Sequence, residues 1–457
     1  MVSSPTLRGR ITAFLAEWNI ALIFIVWTWS PLLRRLVDWQ FGYRMISVIA
    51  IFPLLSLLPG FFLLKKYWGV VSRGFRTTFI LWTLTFGFSF MVAYASGALL
   101  PGAYSIVMFL APAGIAVATL LTSPDPRRAY ERTANVFLVC ASLASVYAMY
   151  QYVSPPPWDT LWLQSEGITS MGPAIPFSLR VFGPYNSSGP FGLYLVFALV
   201  LVLPRLRLAN WKTTVLIAPI LIALLLTEVR AAWLGLALAV IVYLVLAPGR
   251  RAPLAALALV GGIFVVFGLV LLSTVHDAQI ALQTITDRLT TLQSLSSDGS
   301  VVARQGETAD SWALGLREPL GLGLGAMSLG ARLAGGTGGG IDNGYLSRFV
   351  ELGPIAWVGY IVALLVSLWT TLAVYARSLR TNRALADIAA VAVTFQVLLL
   401  FLEGAFDNHN GLPGMFFWFS LYLSSAVGSM KVSEASLSTV RNREGHRHLP
   451  VPGLRTT

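Results

Sequence analysis

Residues 187–204 read Ser-Ser-Gly-Pro-Phe-Gly-Leu-Tyr-Leu-Val-Phe-Ala-Leu-Val-Leu-Val-Leu-Pro, eighteen positions without one charge. A helix that crosses a bilayer needs roughly 20 mostly apolar residues. In hydrocarbon the backbone has no water to bond to, so such a run closes its own hydrogen bonds as a helix. Comparable runs recur outward in both directions, at about 15–33, 44–64, 77–96, 103–121, 133–153, 187–204, 213–229, 231–247, 253–273, 354–376, 386–403 and 412–429. Apolar residues make up 56% of the chain and charged residues 11%, with a mean hydropathy of +0.72. A soluble domain of that composition would lack the polar surface to cover its core. The pattern predicts an all-α, polytopic transmembrane bundle of about 12 spans.

The net charge of +12 raises the question of nucleic acid, and its distribution answers it. With the N-terminus in the cytoplasm, the inner segments carry Arg8, Arg10, Lys65, Lys66, Arg73, Arg76, Arg127, Arg128, Arg132, Arg205, Arg207 and Lys212. They continue with Arg250, Arg251, Arg377, Arg380, Arg383, Lys431, Arg441, Arg443, Arg447 and Arg455, in all 22 of 32 basic residues and all four lysines. That is the positive-inside bias of a membrane protein with both termini cytoplasmic, not a nucleic-acid footprint. Arg34, Arg35 and Arg44, in the first outer loop, run against it. The first seventeen residues are too polar for a signal-peptide core, so the first apolar run is expected to remain as an uncleaved helix. Cys140 is the only cysteine, which excludes an intramolecular disulfide and leaves the redox compartment open.

Residues 1–273 are therefore expected to hold spans one to nine, with an outer loop near 154–186, and residues 354–429 spans ten to twelve. The tail at 430–457 is polar and basic, and is expected to be disordered in the cytoplasm. Between the two blocks, residues 274–353 form a polar interruption with eight of the twenty acidic residues, five arginines and no lysine. This segment is expected to be a large extracytoplasmic loop, since long loops in compact proteins are functional or disordered. Leu282, Ile285, Leu289, Leu292, Trp312 and Leu316 are spaced for one or two surface helices within 278–318, and the nine glycines of 321–340 read as a flexible connector. No internal repeat is visible, which weighs against an inverted-repeat transporter.

Glu228 and Arg230 stand at the outer junction of two spans, two residues apart, so they would diverge on one helix. Arg230 can offer its planar fork to a phosphate or snorkel to lipid headgroups. Arg304, within Arg304-Gln305-Gly306-Glu307-Thr308-Ala309-Asp310-Ser311-Trp312, could complete a two-arginine clamp on a diphosphate, or be a solvated charge. Asp342 and Asn343 precede Tyr345, Arg348 and the tenth span. A carboxylate there can serve as general base or as a helix N-cap. His409, between the last two spans, is a second candidate base and equally a surface loop residue. No two acidic residues are separated by a single residue, so the Asp-x-Asp metal signature is absent, and histidine and cysteine are too scattered for zinc. Gly321-Leu322-Gly323-Leu324-Gly325 follows no strand and reads as a loop rather than a phosphate nest.

Taken together, these elements resemble the O-antigen ligase and O-antigen polymerase superfamily of bacterial envelope proteins. The resemblance covers most of the chain, chiefly residues 180–360. It is carried by Phe182-Gly183-Pro184-Tyr185-Asn186-Ser187-Ser188-Gly189-Pro190-Phe191 and by Thr227-Glu228-Val229-Arg230-Ala231-Ala232-Trp233-Leu234-Gly235. Arg304 to Trp312, Pro319 to Gly325, Asp342-Asn343-Gly344-Tyr345-Leu346 and Glu351-Leu352-Gly353 complete it. Each motif is loose alone; their order, spacing and helical frame are more specific.

The resemblance implies a glycosyltransferase of the bacterial cytoplasmic membrane, working on the outer face without metal or cofactor. The donor is a glycan on a polyprenyl diphosphate, and the acceptor is a hydroxyl of a glycan or lipid. Arg230 and Arg304 match the arginines that would hold the diphosphate. Asn186, Asn343, Tyr345 and Arg348 are grouped with them as substrate contacts, and Asp342 or His409 would take the acceptor proton. Ligases of this kind carry histidine just before the Asn-x-Tyr-Leu element, where this chain has Asp342; Asp-Asn looks more like the polymerase and exopolysaccharide members. The rival expectation is a transporter or flippase of lipid-linked glycans, which would line the bundle's midplane with charge.

Overall fold

The computed structural model describes residues 7–44, 47–123, 125–208, 211–247, 299–327, 341, 343–380, 383–406 and 409–445. Every regular element among them is helical. The first half runs α1 (Leu7–Phe41), α2 (Phe52–Leu63), α3 (Arg73–Ala95), α4 (Leu99–Leu110), α5 (Gly114–Thr122), α6 (Pro126–Val153) and the short α7 (Pro157–Glu166). The second runs α8 (Ser188–Val202), α9 (Trp211–Leu226), α10 (Arg230–Leu246), α11 (Gly299–Arg317), α12 (Gly344–Leu379), α13 (Arg383–Glu403) and α14 (Gly411–Gly445).

Seven helices among the described residues are long and apolar enough to cross a membrane: Asn19–Phe41, Arg73–Ala95, Leu99–Thr122, Pro126–Val153, Ser188–Arg205, Gly344–Leu379 and Leu385–Glu403. Three apolar helices, Val48–Leu63, Thr213–Leu226 and Arg230–Leu246, are shorter. The last two are short because residues 227–229 turn sharply between them and belong to neither. The expected span at 253–273 lies outside the described residues, and the one at 412–429 falls within α14.

Apolar residues face two different surroundings. In α8, every residue from Phe191 to Val202 is buried, as suits a helix apolar all round at the centre of a bundle. By contrast, α3 exposes Ile80, Leu84, Phe88 and Met91, and α12 exposes Ile355, Val358, Val362, Leu365 and Trp369. Those residues recur every three or four positions, so each helix turns one apolar stripe outward, where lipid is the matching solvent.

The main irregularity is a break inside α12. Gly353 has φ 68° and ψ 165°, and Pro354 follows it. Proline supplies no N–H and its ring collides with the carbonyl of the residue four before it, here Val350. The released carbonyls are taken by the glycine-rich segment: Leu322 donates to Val350 at 3.0 Å and Gly323 to Glu351 at 3.2 Å. Ser89 of α3 donates its hydroxyl to the Glu351 carbonyl at 2.9 Å, and Leu324 donates to the Ser89 carbonyl at 3.1 Å. This corrects the expectation of a flexible connector for residues 321–327: they are wedged between α3, α4 and the break in α12. A Cβ on Gly323 would come within 2.7 Å of the Ala93 backbone, and one on Gly325 within 2.6 Å of the Pro101 carbonyl. Residues 328–340 lie outside the described residues.

Candidate active site

Four helix ends meet at one end of the bundle. A Cβ on Gly189 in the first turn of α8 would lie 3.1 Å from the Phe406 ring. One on Gly235 of α10 would lie 3.0 Å from Leu402, and Gly344, which opens α12, rests against the Glu403 carboxyl. The starts of α8, α10 and α12 therefore surround the C-terminal end of α13. A helix N-terminus carries roughly half a positive charge and unpaired N–H groups, so the convergence favours an anion.

The turn that presents Arg230 is strained and braced. Glu228 has φ 54°, a left-handed conformation unusual for a residue with a Cβ. Arg180 holds it from the 154–186 loop, donating to the carbonyls of Ser170 at 2.9 Å, Glu228 at 3.2 Å and Thr227 at 3.3 Å. Its guanidinium also stands 3.8 Å from the Glu228 carboxylate. Arg230 then begins α10, partly exposed.

The loop that carries Asn186 hangs on a buried network. The Arg35 guanidinium meets the Asp159 carboxylate at 2.6 Å and donates to the Gly183 carbonyl at 2.6 Å. Asp159 also accepts from Tyr147 at 2.7 Å and Gln151 at 2.6 Å. The Gln151 carbonyl in turn accepts from the backbone N–H of Phe182 at 2.9 Å and Gly183 at 3.1 Å. Burial pushes the Asp159 carboxyl above its ordinary range, with the Arg35 charge acting the other way. This network explains two of the arginines that break the charge rule. Arg35 is fully buried in its pair, and Arg34 lies 3.4 Å from Asp38, stacks over Trp162 at 4.8 Å and donates to the Arg44 carbonyl at 3.0 Å. Asn186 gives its own carbonyl to the Trp162 indole at 3.2 Å, and its buried Oδ1 has no partner among the described residues.

At the start of α12, Asn343 is the N-cap, its Oδ1 accepting from the Leu346 N–H at 3.3 Å. Asp342 lies outside the described residues. The Tyr345 hydroxyl donates to the Leu400 carbonyl at 2.8 Å, which ties α12 to α13. Arg348, expected as a substrate contact, is fully buried. It pairs with Glu351, donates to Ser347 at 3.1 Å and stacks over Phe109 at 4.6 Å. Glu351 accepts in addition from the Met327 N–H at 2.8 Å. The pair locks the break in α12 to the glycine-rich segment, which places Arg348 in a buried contact inside the bundle.

His409 is not a surface loop residue either; it is 1% exposed. Its Nδ1 lies 2.7 Å from Glu403 Oε2 and 3.1 Å from the Tyr360 hydroxyl, which donates to Glu403 Oε1 at 2.8 Å. Arg304 lies on α11, whose backbone is described there while its side chain is not. That helix docks on α12 through Trp312, whose ring is 4.5 Å from Phe349 and 6.4 Å from Trp357. Among the described residues, no three or more His, Cys, Asp or Glu gather as a metal site.

The O-antigen ligase family model matches residues 214–361. Over that segment the chain is similar to the O-antigen ligase family. The matched segment of this O-antigen ligase-like membrane protein runs from α9 through Arg230, α11 and the break in α12. It includes Arg348 and Glu351 and ends just past Tyr360. Glu403 and His409 lie beyond it, as do Arg180 and Asn186. No curated protein matches the chain. Reading the sequence alone missed Arg180, Asp159, Glu351, Tyr360 and Glu403. The one available signal was an acidic residue at a span's edge, present in Glu351 and Glu403.

Proposed function

We propose that the chain transfers or polymerises a glycan from a polyprenyl-diphosphate carrier onto an acceptor hydroxyl, at the outer face of the bacterial cytoplasmic membrane. The reading is carried by one observation: within the family-matched segment, a braced, strained turn sets Arg230 at the first position of α10, where three helix N-termini converge. Arginine keeps its charge at any working pH and grips phosphate oxygens bidentately. Placed there, with Arg304 from α11, it would stabilise the charge that grows on the departing diphosphate. The acceptor oxygen attacks the anomeric carbon, the carbon–oxygen bond to the diphosphate breaks, and a base takes the acceptor's proton. The buried charged groups Arg35, Asp159, Arg348, Glu351, Glu403 and His409 are gathered toward the same end of the bundle. That distribution favours an enzyme over a transporter, which would bind its cargo near the midplane.

The test is transfer from a polyprenyl-diphosphate-linked oligosaccharide by the purified chain in detergent. Arg230→Ala and Arg304→Ala are each expected to lower kcat by about 100-fold, the loss typical of a removed charge-stabilising donor. Asp342→Ala and His409→Ala, run beside them, identify the base. Full activity in both arginine variants overturns the diphosphate clamp.

A further inference from the structure

We propose that Glu403 and Tyr360 are positioning residues that hold His409 with its hydrogen on Nδ1 and its lone pair on Nε2, so that Nε2 takes the acceptor hydroxyl's proton. The assignment rests on the glycosyltransferase reading and adds to it Glu403 and Tyr360; Glu403 and His409 lie outside the family-matched segment.

Geometry fixes the tautomer. A carboxylate only accepts hydrogen bonds, and Glu403 Oε2 stands 2.7 Å from Nδ1. The other oxygen is occupied by the Tyr360 hydroxyl at 2.8 Å. The imidazole cannot rotate away, because Trp82, Phe417 and Tyr360 pack round it with ring centroids 5.8, 5.2 and 5.9 Å distant. These, with Glu403, are the groups that face it from α3, α12, α13 and α14. Nε2 is buried and has no partner among the described residues. A buried N–H without an acceptor is rarer and costlier than an unused lone pair, so neutral His409 presents Nε2 as an acceptor.

The carboxylate itself is held in place from a third side. Gly344 opens α12 against Glu403, and a Cβ there would overlap the carboxyl oxygen. The positive end of α12 therefore faces the negative group that orients His409. In the transfer, the acceptor O–H bond breaks toward Nε2, directly or through one water. The acceptor oxygen bonds to the anomeric carbon, and the electron pair of the breaking bond leaves on the diphosphate. The imidazolium formed is neutralised by Glu403, the role a buried carboxylate plays for histidine in serine hydrolases.

Two measurements on the full-length chain test this. The first is the nitrogen spectrum of 15N-histidine-labelled protein, with His409 assigned by its loss in His409→Gln. A hydrogen on Nδ1 in the neutral form is expected, and Glu403→Gln, whose amide can donate to Nδ1, is expected to shift it toward Nε2. The second is transfer from a polyprenyl-diphosphate-linked oligosaccharide. His409→Gln should lower kcat by about 100-fold and Glu403→Gln by about tenfold or more, with KM held within about twofold, in the range of general-base losses. Tyr360→Phe, which keeps the ring packing, should cost less than Glu403→Gln. Wild-type kcat in His409→Gln, or a hydrogen on Nε2 in the wild type, overturns the role. Absence of transfer by the wild-type chain overturns the glycosyltransferase reading as well.

Discussion

Gly353 shows how much one residue decides. Its φ of 68° with ψ of 165° belongs to a region that is essentially restricted to glycine. A Cβ there would also sit 2.5 Å from the Pro319 carbonyl, inside the wedge that fills the break in α12. Backbone strain of about 1–3 kcal/mol and a comparable cost of overpacking both oppose any side chain. Gly353→Ala is expected to lower the thermal midpoint sharply in detergent, whereas Gly306→Ala, inside α11 with nothing within 4 Å, should keep it or raise it slightly. An unaltered midpoint in Gly353→Ala would show that the break is not built as described. At this scale the sequence was only partly legible. Asp and Asn before α12 left base and cap open, and the structure gives the cap to Asn343. Arg348 and His409 stood out by residue type, but their partners Glu351 and Glu403 decide what each does. A single chain shows charges; it does not show which of them are buried together.

At the scale of elements, α7 is joined to the bundle by a charge pair instead of by apolar packing alone. Arg35 on α1 and Asp159 on α7 are both fully buried. Burying both ions is expensive, and their attraction offsets that cost only while both are present. Arg35→Ala is expected to destabilise the chain by about 3–5 kcal/mol, because it leaves Asp159 as an unpaired buried charge. The double change Arg35→Met with Asp159→Leu should recover most of that loss in thermal unfolding. If it does not, the bonds to Gly183 and Gln151 matter more than the ion pair. In either case loss of Arg35 should also loosen residues 182–186 and the entry to α8, since the same guanidinium holds the Gly183 carbonyl. Helices read well from apolar runs, and so did the junction near Glu228 and Arg230, but the shape of its turn did not. Thr227-Glu228-Val229 looks helical by composition, and its turn is set by Arg180 from a loop 47 residues earlier.

Across the whole molecule, charge at the two ends predicts the direction of the chain through the bilayer. Arg127, Arg128 and Arg132 begin α6 and Arg205 follows α8, at the end where Arg132 meets the Thr122 carbonyl and Arg205 meets Asn135. Arg377 and Arg380 close α12 at that end as well. The opposite end holds Arg180, Arg230 and the converging helix starts, where exposed basic residues are fewer among the described residues. Positive charge near span ends is retained on the cytoplasmic side, so the site is expected outside. The chain is suited to a direct check because Cys140 is its only cysteine and is buried. In a Cys140→Ala background, Ser165→Cys places an exposed thiol on α7 at the site end, and Arg128→Cys places one on α6 at the basic end. A membrane-impermeant maleimide added to spheroplasts is expected to label Ser165→Cys at once and Arg128→Cys only after the membrane is opened. The reverse pattern would put the arginines on the cytoplasmic side and remove the basis for transfer at the outer face.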